Sequence, residues 1–277
     1  MIVFLFTGEA RTSPFAHNPS PKSNEIMNSY IKYIFTDEFK SKYKYKIYIS
    51  TNDIHLSNTI NYFDSSNIGN IHLMNTNYYF NPNINKLKPI NIFIDRYRKI
   101  MKSKPSYTYD KYEKYEGSIH QHYKLLDAYN LLLNDAIIFE QCTLICRIRL
   151  DIIVNVNIIE LIDKFTNPKC ELISNWDIFS IGRKGIMGCY LNVLIKNGFY
   201  TNDMKMPENL IIPNYETSSS YCKYRWTYAP EIQLFKMLCE YCNTHNFNIM
   251  DAIKPVFDNI LNSLDCAYDK EIKILRL

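Results

Sequence analysis

The sequence is short of glycine, with 7 in 277 residues, which excludes a Gly-rich fibrous repeat. It has no apolar run long enough to span a bilayer. Cysteine is missing from the first 141 residues, and all 8 follow, from Cys142 to Cys266. The opening residues, Met1 to Phe6, are apolar but lack a charged n-region and a long h-region, so they read as a strand and not as a secretion signal. The thiols are then expected to be free, in a reducing, cytoplasmic setting. Net charge is only +4, with a pI near 8.5. That falls short of the strongly basic signature of a nucleic-acid binder, and no nucleic-acid partner is expected. There is no Gly-x-x-x-x-Gly-Lys loop for a P-loop kinase or ATPase and no Gly-x-Ser-x-Gly elbow for a hydrolase. Cys239-x-x-Cys242 with His245 has no second pair at zinc spacing. What is abundant is apolar residues, at 47%, too many for a disordered chain. The chain also has 23 Tyr, 30 Asn and 38 Ile, a bias that AT-rich codons produce and that describes the genome more than the fold.

The first half alternates strand-like and helix-like segments. Ile2 to Phe6 is a buried-strand run. Thr7 to Lys22 is a loop with Gly8 and three prolines. Ser23 to Phe39 carries Ile26, Tyr30, Ile31, Ile34 and Phe35 at helical spacing, with Ser23 as N-cap. In Tyr43 to Ser50, Tyr43, Tyr45, Ile47 and Ile49 share one face and Lys44, Lys46 and Tyr48 the other, which makes a strand of it. This alternation explains the run Lys40, Lys42, Lys44, Lys46 better than nucleic-acid contact does. Ile68 to Met74 is a third strand. The β-α-β-α-β order predicts a mixed, mainly parallel α/β sheet flanked by helices. Asn75 to Asn91 and Ser103 to Gly117 read as loops around a helix at Ile90 to Lys102. Ser118 to Asn134 is an amphipathic helix, Thr143 to Leu150 a buried strand, and Cys170 to Ser174 and Asp177 to Ile181 two more. Helices are predicted over Lys184 to Lys196 and Pro230 to Asn243, with a loop over Gly198 to Ala229 and a last strand near Ile272 to Leu275. No repeat and no linker interrupts the chain. One domain is expected over 1–277, with 1–151 as its nucleotide-binding part and 152–277 as its elaborated acceptor-side part.

The strand end Cys146-Arg147-Ile148-Arg149-Leu150-Asp151 carries the chemistry. Period 2 puts Arg147, Arg149 and Asp151 on one face. In an open parallel sheet, ligands bind at the carboxyl ends of the strands. A carboxylate there can hold Mg²⁺ or Mn²⁺ bridging a diphosphate, and an arginine beside it can pair with that carboxylate or with a phosphate. A purely structural Arg–Asp pair capping the strand is the plainer alternative. On the preceding helix Gln121, Lys124 and Ala128 share a face, where Lys124 and Gln121 could reach a phosphate and a nucleoside edge.

Taken in order, Phe6-Thr7-Gly8-Glu9-Ala10-Arg11-Thr12, Gln121-x-x-Lys124-Leu125-x-x-Ala128-Tyr129, Arg149-Leu150-Asp151, Asp177 to Arg183 and Trp226-x-Tyr228-x-Pro230-Glu231 resemble the nucleotide-diphospho-sugar transferases of the GT-A fold. The resemblance runs over roughly residues 1 to 240. It is closest to the divergent groups from surface-polysaccharide loci and large DNA viruses, so an infected cell or a virion is an implied setting. It implies transfer of a sugar from a UDP- or GDP-sugar donor to a glycan or other hydroxyl acceptor, with inversion, assisted by Mn²⁺ or Mg²⁺. The family's strand ends in Asp-x-Asp; here Arg149 stands in place of the first Asp, leaving Asp151 as the implied metal ligand. The resemblance further implies that Thr7, Gly8 and Arg11 cradle the nucleotide and that Lys124 approaches the diphosphate. Arg149 could itself neutralise that diphosphate.

Asn52 and Asp53 follow the second strand and could contact base or ribose; Asp53 could equally cap the next helix. Inverting transfer needs a carboxylate base. Glu231 resembles the family's acidic helix-start base, although acidic residues favour helix starts for dipole reasons alone. Asp177, at a strand entry, is the second candidate, as a sugar or acceptor contact. Arg183 is a candidate phosphate or acceptor contact. Two other readings share the residues. A sugar nucleotidyltransferase would show a richer glycine loop than the single Gly8. A degenerate binding module would keep the fold without turnover, as the loss of the first Asp suggests.

Overall fold

The computed structural model describes residues 1–8, 23–51, 60–61, 63–73, 122–175, 178–193, 230–255 and 272–274. The expected loops and helix between 75 and 117, and the loop over 198–229, lie outside them. β1 (Ile2–Thr7) is buried at every residue, because it is an interior strand of the sheet and both its faces are covered. α1 (Ser23–Tyr33) and α2 (Asp37–Lys42) follow. The single helix expected through Phe39 is thus two helices. Thr36 sits in extended geometry and its side chain accepts from the Phe39 amide at 3.1 Å. That N-cap starts a new helix, with Asp37 and Glu38 in its first turn and Lys40 and Lys42 in its last.

β2 (Tyr45–Thr51) and β3 (Ile68–Leu73) come next. α3 (residues 122–133) is followed by α4 (Ala136–Gln141), a short helix within the span expected to be a connection. The Asp135 side chain separates them by capping Ile138, and its other oxygen accepts from the Tyr48 hydroxyl at 2.8 Å. Then come β4 (Leu144–Arg149), β5 (Ile152–Val154), α5 (Ile158–Asp163), β6 (Leu172–Asn175), β7 (Phe179–Arg183) and α6 (Lys184–Leu191). α7 (Pro230–Thr244), α8 (Ile249–Ala252), β8 (Ile253–Pro255) and β9 (Ile272–Ile274) complete the described chain.

The main sheet has seven strands in the order β3-β2-β1-β4-β7-β6-β8. All neighbours are parallel except at β7, which runs against β4 and β6. This is the mixed, mainly parallel α/β sheet the sequence predicts. Residues on both sides of 151 build it. β5 and β9 form a separate antiparallel ribbon. The chain leaves β1 toward β2 and β3, then returns to the other side of β1 as β4. The crevice at the carboxyl ends of β1 and β4 is therefore a topological switch point, the place where such sheets bind ligands.

Both faces are packed. On one, Phe4, Phe6, Phe35, Phe39, Tyr45 and Phe63 form an aromatic cluster beside α1 and α2. On the other, Val3, Leu5 and Ile145 meet Leu125, Ala128, Leu132, Ile186, Tyr190 and Leu234. Part of the tyrosine excess is core: Tyr30, Tyr48 and Tyr190 are fully buried. Among the described residues no helix is long and apolar enough to cross a membrane.

Candidate functional site

The switch-point edge is built by backbone bonds that splice three strand ends. Leu150 donates its amide to the Thr7 carbonyl at 2.9 Å, Arg149 donates to the Ile178 carbonyl at 3.0 Å, and Gly8 donates to the Ser50 carbonyl at 3.2 Å. The Tyr30 hydroxyl, from α1, donates to the Arg149 carbonyl at 2.8 Å. Burial, and then the nearby Asp151 carboxylate, push the Tyr30 phenol well above its usual range. It therefore stays a donor throughout the accessible pH range and locks the end of β4.

Gly8 sits at φ 101°, and no described atom lies within 4 Å of the position a Cβ would take. The glycine is required by the backbone and not by crowding. Gly8→Ala is expected to cost about 1–3 kcal/mol in urea unfolding; an unchanged midpoint would show that the turn does not need positive φ.

Arg149 and Asp151 face each other across Leu150. The guanidinium donates through Nε to Oδ1 at 2.8 Å and through Nη2 to Oδ2 at 2.6 Å. The arginine side chain is 19% exposed and the aspartate side chain only 5%. The carboxylate is turned inward and the cation is the member that reaches the surface. Both oxygens of the one implied ligand already accept from Arg149, and no group of three His, Cys, Asp or Glu among the described residues could hold a metal.

A polar row crosses the α3 face of the sheet at this end. Buried Arg147 donates through Nε to Thr7 Oγ1 at 3.2 Å. Ser50 Oγ donates to Asp127 Oδ2 at 2.6 Å, His72 Nδ1 lies 2.8 Å from the same oxygen, and Ser174 and Ser180 hydroxyls bond at 2.7 Å. Asp127 pins α3 to the ends of β2 and β3, while Asp135 at its far end reaches back to Tyr48. α3 thus runs against β2, and Lys124, half-buried one turn before Asp127, lies at the carboxyl edge.

The structure brings Thr7, Gly8, Lys124, Arg149 and Asp151 to one edge. Arg11, Asn52, Asp53, Gln121 and Asp177 lie outside the described residues. Glu231 is the second residue of α7, and its side chain is not among those described. α7 ends beside α6, where a Cβ on Gly185 would come within 2.6 Å of the Tyr241 hydroxyl. The Glu231 turn is the end of α7 remote from that contact.

Arg183 is not part of this edge. The expected strand over 177–181 is Phe179–Arg183 and runs antiparallel, so Arg183 pairs with Leu144 at the opposite end of β4. Its guanidinium donates to the Cys170 carbonyl at 3.1 Å and the Phe165 carbonyl at 2.9 Å, and lies over the Phe165 ring. It also pairs with Glu171 at 3.3 Å. Burial pushes the Glu171 carboxyl up, and the opposing pull of Arg183 and His245 does not cancel it. A carboxyl raised in the folded state binds its proton more tightly there than in the unfolded chain. Its ionisation therefore removes stability as pH rises from the usual Glu range through the raised value. Glu171→Gln should gain relative to wild type across that window, by less than about 1 kcal/mol at neutral pH. A deficit at pH 7 that disappears in acid would reverse this reading.

Sequence reading missed Tyr30, Ser50, His72, Asp127 and Asn175. Asn175, at the end of β6, is fully buried, and neither carboxamide atom has a hydrogen-bond partner among the described residues. Cys239 and Cys242 are buried helix residues whose thiols burial pushes to about 12 and about 11, and His245 stacks on Tyr241.

No family model matches the chain, and a search of curated proteins finds no match. Among solved structures, apo mouse xyloside xylosyltransferase 1 aligns at 10% identity over 94% of this chain and 79% of that one, with a TM-score of 0.30. A likeness that shallow carries no argument; the fold rests on the strand order above.

Proposed function

We propose that this chain binds a nucleoside-diphosphate sugar at the carboxyl edge of β1 and β4 and transfers the sugar to a hydroxyl acceptor, a glycan being the first choice. The observation that carries this is the meeting of Thr7, a positive-φ Gly8 and an outward-facing Arg149 at the switch point, in the order the sequence resemblance requires. In this reading Gly8 lets the donor approach the backbone, with Thr7 and Arg11 beside it. Asn52, Asp53 and Gln121 serve the nucleoside. Lys124 and Arg149 stabilise the charge that develops on the leaving diphosphate. The acceptor oxygen forms its bond to the anomeric carbon as the carbon–oxygen bond to phosphate breaks. The diphosphate leaves with the electron pair, and Glu231 takes the acceptor's proton. Asp177 contacts sugar or acceptor. Arg183, at the opposite edge, has no role.

A catalytically silent binding module is the second reading, favoured by the self-neutralising Arg149–Asp151 pair. A thermal-shift panel of UDP- and GDP-sugars, followed by assay of nucleotide release, separates them. A donor at a hundred times its Kd stabilises the fold by about 2.7 kcal/mol. Stabilisation with release supports the transferase, stabilisation without release supports the binding module, and no stabilisation by any donor sinks both.

A further inference from the structure

We infer that His72, held by Asp127, reads the base of the donor nucleotide: its Nε2 accepts a hydrogen bond from a ring N–H, which selects UDP and GDP over CDP and ADP. The inference rests on the proposed donor site and deepens it. His72 is the penultimate residue of β3. Its register partner on β2 is Ser50, whose own partner on β1 is Thr7. The three strands are parallel, so His72 stands at the same carboxyl edge as Gly8, two strand spacings or about 10 Å from Thr7. With the diphosphate at the β1–β4 edge, a nucleoside lying toward β2 brings its base to β3. Asp127 meets His72 Nδ1 at 2.8 Å. An ionised carboxylate only accepts, so in a neutral ring Nδ1 carries the hydrogen and Nε2 is left as an acceptor. Nε2 has no hydrogen-bond partner among the described residues. The His72 side chain is 51% exposed and that of Asp127 14%, so the less exposed member orients the ring of the more exposed one. An exposed pair of this kind adds little stability, which makes a mere tie between α3 and β3 a poor account of it. The acceptor sorts the bases by their chemistry. Uracil N3 and guanine N1 carry a hydrogen; cytosine N3 and adenine N1 do not.

The test is calorimetric titration of the full chain with UDP, CDP and inorganic pyrophosphate, with MnCl₂ present throughout. Mildly alkaline buffer keeps an imidazole neutral. Wild type should bind UDP about tenfold more tightly than CDP. His72→Phe should weaken UDP about tenfold and leave CDP and pyrophosphate unchanged. Glutamine offers a carbonyl oxygen as acceptor and an NH₂ group for Asp127, so His72→Gln should keep the UDP preference within about threefold. Asp127 acts through His72 as a positioning residue, and Asp127→Asn should narrow the ratio of UDP to CDP affinity without moving pyrophosphate. Equal binding of UDP and CDP by wild type would overturn the inference and leave the donor site standing. So would a His72→Phe variant that binds UDP as wild type does, or that weakens CDP or pyrophosphate as much as UDP. Binding of neither nucleotide by wild type would overturn the donor site as well.

Discussion

Arg149→Met should destabilise the protein by about 3 kcal/mol, and adding Asp151→Asn should recover most of that loss. The single change strips the guanidinium from a carboxylate that is 5% exposed and bonded to it through both oxygens. A buried charge deprived of a bidentate partner costs far more than the pair was worth. The lower end of the usual range applies because the arginine itself stays 19% exposed. Replacing the pair by two neutral groups removes the charge that needed compensation, so the double variant should lie close to wild type. Urea unfolding of the four proteins measures the coupling directly. A double variant no more stable than Arg149→Met would mean that the two side chains do not depend on each other, and the arrangement described here would be wrong.

Phe4→Ala should cost about 3–5 kcal/mol, a large share of the roughly 5–15 kcal/mol that holds a domain together. Phe4 is fully buried in β1, an interior strand. Its ring meets Phe35 at 5.0 Å and Phe39 at 5.7 Å, both edge-on, and Tyr45 at 6.1 Å. Those partners come from α1–α2 and β2, so truncation opens a cavity where three elements meet. The rigid sheet on one side gives little room for collapse. Phe4→Leu fills most of the volume and should lose much less. An alanine variant within about 1 kcal/mol of wild type would show that this cluster does not organise the sheet.

The parts of the fold visible in the sequence were those with one dominant period. β1, β2, β4 and α7 follow from their apolar pattern because each buries a full face or both. The helix through Phe39 was misjudged because apolar spacing continued across Thr36, while a single side-chain cap overrode it. α4 and β5 were missed because six and three residues are too few for a period to show. Arg183 was misplaced for a different reason. Its strand was recognised, but nothing in Asp177 to Arg183 records that β7 runs antiparallel, and that direction alone decides which edge the arginine occupies. The Arg149–Asp151 pair was legible as a choice between pairing and metal binding. The bidentate contact and the inward turn of the carboxylate show the pairing. Asp127, Ser50 and His72 were invisible, because their association depends on how α3 lies across β2 and β3.

Equilibrium dialysis of UDP and GDP against three proteins locates the diphosphate: wild type, Arg149→Met/Asp151→Asn and Arg183→Met. The two arginines lie at opposite ends of adjacent strands, so the comparison asks which edge holds the diphosphate. Wild type and Arg183→Met should bind one nucleotide with the same Kd, and the double variant about a hundredfold more weakly, a difference of about 2.7 kcal/mol. Equal binding by the double variant, or loss of binding in Arg183→Met alone, would contradict a donor site at the carboxyl edge of β1 and β4.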